Sequence, residues 1–512
     1  MRNAWRVADV RAAEQALMAT LPAGALMQRA AAGLARRCAL LLTQRYGRVY
    51  GCRVLLLVGA GDNGGDALYA GARLARRGAA VAARLLDPDR AHAGGLVALR
   101  RAGGTVTDQL PATVDLVVDG IVGIGGRGGL RPAAAELAGW LPALVGRDGA
   151  RPPVVAVDVP SGVGVDTGDL PGTAIAADVT VTFGCLKPAL VVGPAAPLAG
   201  HVELVDIGLG PFLRTAPAVR VPEQADLAAW WPHPGPGSDK YSRGVVGVAT
   251  GSAAYPGAAL LSVAGALAGP VGMVRYAGPV AREVVLAYPS VVAVSRVADA
   301  GRVQAWACGS GLGRDHTAAA TLRSVLAAPV PAVLDADAIN LLVDGSFADL
   351  LRDRAAPLVL TPHDREFARL AGVGPGADRV ESALQLAART NATVLLKGDR
   401  TIVAAPDGRA WVNPTGTPVL ATGGTGDVLT GLLGALLAAG LPAPHAAIAA
   451  AYLHGLAGRR AAATGAPVTA ASVAAALRPP TPVRPPNPAD PPHSVDLGEN
   501  QPDMPDSGMN NS

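Results

Sequence analysis

The sequence predicts an α/β chain of two doubly wound domains, and three observations carry that expectation. Short continuous apolar runs such as Val54-Leu55-Leu56-Leu57-Val58 recur along the chain, in the manner of parallel strands buried on both faces. Between them lie longer stretches whose apolar residues repeat at helical spacing. At 512 residues, half of them hydrophobic, the chain exceeds one ordinary domain and can bury a core in each of two. Strand and helix in alternation imply parallel sheets covered by helices.

From the N-terminus, residues 8 to 46 carry apolar positions at helical spacing, among them Val10, Leu17, Leu34 and Leu42. Pro22 and Gly24 mark a break between two helices. The strand Val54 to Val58 runs into Gly59-Ala60-Gly61-Asp62-Asn63-Gly64-Gly65-Asp66, and a helix is expected from Ala67 to about Arg77. Further strands are expected at Val81 to Leu86, Val114 to Asp119, Val154 to Asp158, Val179 to Phe183 and His201 to Val205.

Between about residues 211 and 236 prolines crowd and the periodicity fades, which sets the expected boundary near 217 and the domains at 1–216 and 217–478. Alternation then resumes, with a strand at Val245 to Thr250 and a helix at Pro256 to Ala268. Strands follow at Val271 to Tyr276, Ala305 to Cys308, Val330 to Asp335, Leu358 to Thr361 and Thr393 to Lys397. Residues 479–512 hold ten prolines and are expected to form a disordered tail.

Composition excludes several classes. The net charge of +4 is small for this length, aromatics make up 4%, and no basic run is interleaved with aromatics, so no nucleic-acid partner is expected. The N-terminus lacks an apolar core of signal-peptide length, and the apolar region Gly431 to Gly458 is broken by Pro442, Pro444 and His445. No membrane association and a cytoplasmic location are expected. Cys38, Cys52, Cys185 and Cys308 are scattered without CxxC spacing, which fits buried thiols in a reducing interior.

The chemistry-bearing motifs fall at expected strand ends, where open α/β sheets bind ligands. Gly59 to Gly64 fits G-x-G-x-x-G, yet Asp62 and Asp66 put carboxylates where a pyrophosphate would sit. That loop suits ribose hydroxyls, an amide or a cation better. Asp119 precedes a second glycine-rich loop, Gly123-Ile124-Gly125-Gly126-Arg127-Gly128-Gly129. Asp158-Val159-Pro160-Ser161-Gly162 ends the next strand, and Lys187 follows Phe183-Gly184-Cys185-Leu186.

On these pieces the chain resembles the YjeF N-terminal family, the NAD(P)H-hydrate epimerases, over about residues 5 to 210. The resemblance implies that Asp62, Asn63, Gly64, Gly65, Asp66, the 123–129 loop and Asp158 bind a hydrated nicotinamide nucleotide. It also implies a potassium ion on Asn63, Asp119 and Ser161, and oxygen ligands of this kind suit a hard cation. Asp62 and Ala67 depart from the asparagine and glycine usual there. Epimerisation at C6 requires the carbon–oxygen bond to open and close on either face. Asp158 and Lys187 are assigned to move the proton and stabilise charge.

In the second half, Thr422-Gly423-Gly424-Thr425-Gly426-Asp427 feeds a buried helical run, Val428 to Leu437. A glycine-rich turn into a helix start presents free N–H groups to an anion, and a carboxylate beside it suits a base working next to a phosphoryl group. Gly309 to Gly313, Asp335-Ala336-Asp337-Ala338-Ile339-Asn340, Thr361-Pro362-His363 with Glu366, Lys397-Gly398-Asp399-Arg400-Thr401 and Asn413-Pro414-Thr415-Gly416 precede it. The series resembles the ribokinase-like superfamily, and within it the NAD(P)H-hydrate dehydratases, over about residues 225 to 478.

The second resemblance implies a nucleotide site at Lys397, Gly398, Asp399, Arg400, Thr401 and Gly426, and a hydrate site at Ala258, Gly311, His363 and Asp427. Asp364-Arg365, Ser310 and Asp239 depart from the family's Pro-Gly, proline and histidine. The implied reaction removes water from the S hydrate at the expense of ADP, giving AMP and phosphate, with magnesium assisting and Asp427 taking the hydroxyl proton. Its substrates would be NADHX, NADPHX and ADP, and a homo-oligomer is expected. The alternative is a ribokinase-like kinase for a small alcohol, of hydroxymethylpyrimidine or hydroxyethylthiazole type, fused to a nucleotide-binding domain.

Overall fold

The structure is a computed structural model describing residues 1–481. Most of the tail expected over 479–512, from residue 482 onward, lies outside the described residues. Two sheets organise the chain. The first has seven strands, all parallel, in the spatial order Thr105–Val106, Ala80–Leu85, Arg53–Val58, Leu116–Gly120, Val154–Val157, Val179–Phe183 and His201–Val205. Strand order reverses between Arg53–Val58 and Leu116–Gly120, which pair directly. A crevice opens at such a switch point, beyond the strands' carboxyl ends.

The second sheet has eleven strands. Six parallel ones lie in the order Thr393–Leu396, Leu358–Leu360, Ala332–Leu334, Ala305–Cys308, Val245–Ala249 and Met273–Ala277, and a seventh, Val292–Val294, closes that side. Order reverses here between Ala305–Cys308 and Val245–Ala249. Beyond Thr393–Leu396 the sheet continues through Ile402–Ala404 and Ala410–Val412, both antiparallel to their predecessors, to Val219–Val221.

The last strand of this sheet is Arg2–Ala4, the start of the chain, antiparallel to Val219–Val221. The expected boundary near 217 thus falls beside a strand whose partner lies at the other end of the first half. Trp5 N–H also donates to Leu186 O at 3.0 Å, and Ala4 bridges Leu186 in parallel fashion. A buried apolar cluster joins the two halves here, with Ala4, Val159 and Leu186 on one side and Val221, Phe367 and Val394 on the other.

The first turn of the helix Asp62–Arg76 corrects the sequence reading, which starts this helix at Ala67. Glycine disfavours helix, but Asn63, Gly64 and Gly65 are buried, and packing outweighs propensity there. In the second half, the helix Thr425–Ala438 crosses Pro256–Leu267 at backbone contact. A Cβ on Gly431 would stand 1.8 Å from Ser262 O, and one on Gly265 would stand 2.0 Å from Val428 O. Glycine is required on both sides of that crossing. Among the described residues, no helix is long and apolar enough to cross a membrane.

Candidate active sites

The first switch point opens into a cleft of about 1190 Å³. Asp62, Asn63 and Asp66 reach it from the helix start, Gly123 to Gly129 from the loop after Leu116–Gly120, and Asp158 from the end of Val154–Val157. Gly64 and Gly65 sit on the buried side of the same helical turn and do not line the cleft. Arg11 and Glu14 complete the wall from the helix Val7–Met18. Sequence reasoning missed both, because they come from an element far from any strand-end turn.

Asp158 has φ 68, a left-handed backbone that a non-glycine residue rarely adopts and that concentrates at functional sites. Its Oδ1 accepts from Thr182 Oγ1 at 3.0 Å, from Phe183 N–H at 3.3 Å and from the Lys187 ammonium. Lys187 is 1% exposed and also donates to Thr182 Oγ1 and Phe183 O, both at 3.0 Å. An ammonium has three N–H groups, and all three are spent inside the protein. Lys187 lies beneath Asp158 and is not part of the cleft wall.

Asp119 is fully buried behind the second loop. Its oxygens accept from Ser161 Oγ at 2.6 Å and Ser161 N–H at 2.9 Å, and burial pushes its carboxyl up to about 6 against those bonds. The Asn63 amide reaches the same loops. Its nitrogen donates to Val157 O at 3.1 Å and its oxygen accepts from Gly123 N–H at 3.3 Å. Asp119, with no cationic partner among the described residues, the Ser161 hydroxyl and the Asn63 amide oxygen make an oxygen donor set that fits a hard monovalent cation.

The second switch point carries a smaller cleft of about 500 Å³, lined by Tyr255 to Ala258, Gly311, Gly423, Gly424 and Asp427. Gly424 caps the helix Thr425–Ala438 with φ 87, which turns the chain so that the helix start faces the cleft. Thr425 Oγ1 ties the turn down by donating to Leu420 O at 2.7 Å. Burial, and then the charge of Asp335, push the Asp427 carboxyl up to about 6 despite the nearby Ser310 hydroxyl and the charge of Lys397.

Asp335, at the end of Ala332–Leu334, is the polar hub below this loop. It accepts from Lys397 Nζ at 2.6 Å, Thr361 Oγ1 at 2.8 Å, Thr430 Oγ1 at 3.0 Å and Ser310 Oγ at 3.3 Å. Burial alone would raise its carboxyl, but Lys397 and these donors hold it below the usual range. Lys397 is 3.8 Å from Glu366, and a Cβ on Gly426 would stand 3.7 Å from both Lys397 Nζ and Asp335 Oδ2. Lys397 and Gly426 therefore meet, although 29 positions separate them in the sequence.

The 397–401 loop is braced rather than loose. Thr401 Oγ1 donates to Gly398 O at 2.9 Å, and Arg400 Nη1 donates to Pro414 O at 3.0 Å. Asp399 stands with Arg400 Nε at 3.6 Å. His363 instead caps the helix Asp364–Ala371: its Nδ1 accepts from Arg365 and Glu366 N–H at 3.1 Å, and Glu366 returns the bond to His363 N–H at 2.9 Å. Its side chain is exposed and does not line the second cleft, whereas Ala258, Gly311 and Asp427 do.

Two open α/β sheets, each with a cleft and a carboxylate on its wall at the switch point, define a two-site enzyme that handles nucleotide-sized ligands. Known proteins make this specific. The family model described as YjeF-related protein N-terminus matches residues 23–189, and that described as NAD(P)H-hydrate dehydratase matches 246–478. The bifunctional NAD(P)H-hydrate repair enzyme Nnr of Mycobacterium tuberculosis (strain CDC 1551 / Oshkosh) is 51% identical over 447 residues, 87% of this chain and 91% of that protein. Its counterpart in Mycobacterium leprae is 50% identical over 454 residues, 89% and 93% of the two chains. A crystal structure of an ADP/ATP-dependent NAD(P)H-hydrate dehydratase from Bacillus subtilis, co-crystallised with ATP/Mg2+, covers 51% of this chain and 96% of its own, at 30% identity and a TM-score of 0.45. The chain belongs to the bifunctional NAD(P)H-hydrate repair enzymes, which join an epimerase to a dehydratase.

Proposed function

We propose that this epimerase–dehydratase divides its work between the two clefts, the first interconverting the C6 epimers of NADHX and NADPHX, the second dehydrating the S form. In the second cleft, Asp427 takes the C6 hydroxyl proton while that oxygen attacks the terminal phosphoryl of ADP, and AMP leaves. The phosphorylated hydrate then expels phosphate as the nitrogen lone pair enters the ring, and loss of the C5 proton restores the dihydronicotinamide. The observation that carries this reading is Asp427 at a helix start on the cleft wall, its carboxyl pushed up to about 6 by burial and by Asp335. A base with that affinity for protons works near neutral pH.

Lys397 and Gly426, with Gly398, Asp399, Arg400 and Thr401, form the proposed nucleotide side; Ala258 and Gly311 join Asp427 on the hydrate side, and His363, outside the cleft wall, would reach the hydrate only by leaving its helix cap. Among the described residues no group of three His, Cys, Asp or Glu gathers to hold a metal. Asp335 already spends its oxygens on Lys397 and three hydroxyls. Magnesium fits as an ion bound largely through the nucleotide's own phosphates and water. In the first cleft, Asp158 is the proposed working carboxylate, with a potassium ion on Asn63, Asp119 and Ser161 organising the loops that hold the nucleotide.

A cytoplasmic setting is part of the proposal, supported by four free, buried cysteines. So is self-association, supported by the exposed Val292 on the edge strand and Leu286 on the helix beside it. Light scattering of the purified chain tests the latter. For the reaction, the chain is incubated with an R/S mixture of hydrated NADH plus ADP, and the return of reduced-nicotinamide absorbance is followed. Full recovery with AMP and phosphate formed is the expected result. Recovery of only half would remove the epimerase assignment, and no recovery would remove the dehydratase assignment.

A further inference from the structure

Lys187 leaves the first cleft without a proton donor. Its three N–H groups are bonded to Asp158, Thr182 and Phe183, and it is shut off beneath the cleft. Opening the C6–O bond still requires a proton on the departing oxygen, because hydroxide is a poor leaving group. A second group must deliver it from the cleft wall.

Asp66 meets the requirement. Its side chain lines the cleft from the helix Asp62–Arg76 while nine-tenths of the residue is buried, and its Oδ1 has no hydrogen-bond partner. The charged groups around it are Asp158 at the strand end, Asp62 on its own helix, Glu14 from the helix Val7–Met18, and Lys187. Tyr69 and His92, in edge contact with each other, also line the cleft, as do Asp87 and Arg90 beside them and Arg11, Arg127 and Arg131 across it. Burial, and then the like charges of Asp158, Asp62 and Glu14, hold the Asp66 carboxyl well above the usual range. Two carboxyl groups in one cleft, one backed by an ammonium and the other facing like charges, divide into base and acid.

Building on the epimerase reading of this cleft, we propose that Asp66 is its catalytic acid, that Asp158 is the opposing base, and that Lys187 is a positioning residue. The C6–O bond of the hydrate breaks with its electron pair passing to oxygen, which takes the Asp66 proton and departs as water. The ring nitrogen's lone pair forms the N1=C6 bond. Water on the other face then gives its proton to Asp158 as its oxygen bonds to C6, and the nitrogen recovers its pair. One proton has passed from Asp66 to Asp158, the reverse epimerisation uses the two groups in exchanged roles, and exchange with solvent through the open cleft resets them.

The test measures interconversion of purified R and S hydrate by the full chain across pH, in water enriched in 18O. In the wild type, label is expected to enter the C6 hydroxyl as fast as the epimers interconvert, and kcat to fall on the alkaline side as the acid loses its proton. Asp66→Asn should lower kcat by about 10²-fold or more and abolish the alkaline limb, with KM changed by less than about threefold. Asp66→Glu retains a carboxyl and should retain the limb, which keeps the test decisive if the amide variant does not fold. A raised KM with near-normal kcat in Asp66→Asn would reduce Asp66 to a substrate contact and overturn the proposal. So would loss of the limb in Glu14→Gln instead, or epimerisation without label. A wild-type chain that interconverts nothing would instead sink the epimerase reading itself.

Discussion

Asp427 holds its proton more tightly in the folded chain than in the unfolded one, and two consequences follow at the residue scale. As a base it must be ionised, so the dehydration rate should fall as pH drops through about 6, with Asp427→Asn removing about 10²–10⁴-fold of the rate and leaving epimerisation in place. For stability the sign is opposite. Between the ordinary carboxylate range and about 6, the unfolded chain gives up this proton while the folded chain keeps it, so ionised Asp427 costs stability above that range. Asp427→Asn should therefore melt above the wild type at pH 8 and lose that advantage by pH 4, as thermal scans would read. Asp335 behaves in the reverse manner, since its oxygens are already satisfied. Lys397→Met would leave that carboxylate buried without its cation, a loss of about 3–5 kcal/mol, whereas Thr430→Val removes one hydrogen bond and costs about 1–3 kcal/mol. Denaturant titration should rank the two variants in that order.

The elements bring these residues into register, above all the crossing of Thr425–Ala438 over Pro256–Leu267. Gly431→Ala tests it, because the two relevant magnitudes have opposite signs. Alanine gains about 1 kcal/mol of helix propensity, but its Cβ would stand 1.8 Å from a backbone oxygen that cannot rotate away. The clash wins, so the variant should unfold at a lower temperature and dehydrate more slowly without touching a ligand. Such detail is not legible in the sequence, where Gly431 is one of several glycines in an apolar run. The parallel strands were legible because burial on both faces leaves a continuous apolar signature, as at Val54 to Val58 and Ala305 to Cys308. The strands Val292–Val294 and Ile402–Ala404 are not legible, since three residues show no period and, unlike Ala332–Leu334 and Leu358–Leu360, these do not run into one of the polar motifs that mark the clefts. The turn motifs of both clefts could be read because polar and glycine residues interrupt apolar runs. Arg11 and Glu14 could not, since their helix joins the cleft only through the tertiary fold.

Over the whole molecule, buried apolar residues of both halves pack in one cluster, and the two halves are expected to unfold together. Phe367→Ala should cost about 3–5 kcal/mol and lower the inactivation temperatures of epimerisation and dehydration together, although Phe367 lines neither cleft. Separate inactivation curves for the two activities would show that the cluster does not couple them. A chain divided at 216/217 should yield a first half whose opening strand has lost its partner, exposing a pairing edge that invites aggregation in sedimentation or light-scattering measurements. That opening strand also fixes an order in time. Arg2–Ala4 leaves the ribosome well before its partner, Val219–Val221, which emerges roughly 10–40 s later at about 5–20 residues per second. Until then the backbone contacts between Ala4, Trp5 and Leu186, next to Lys187, have no second sheet behind them. The opening strand of the epimerase half thus finds its partner only once the dehydratase half of the nascent chain has begun to appear, well before Asp427 and the second cleft exist.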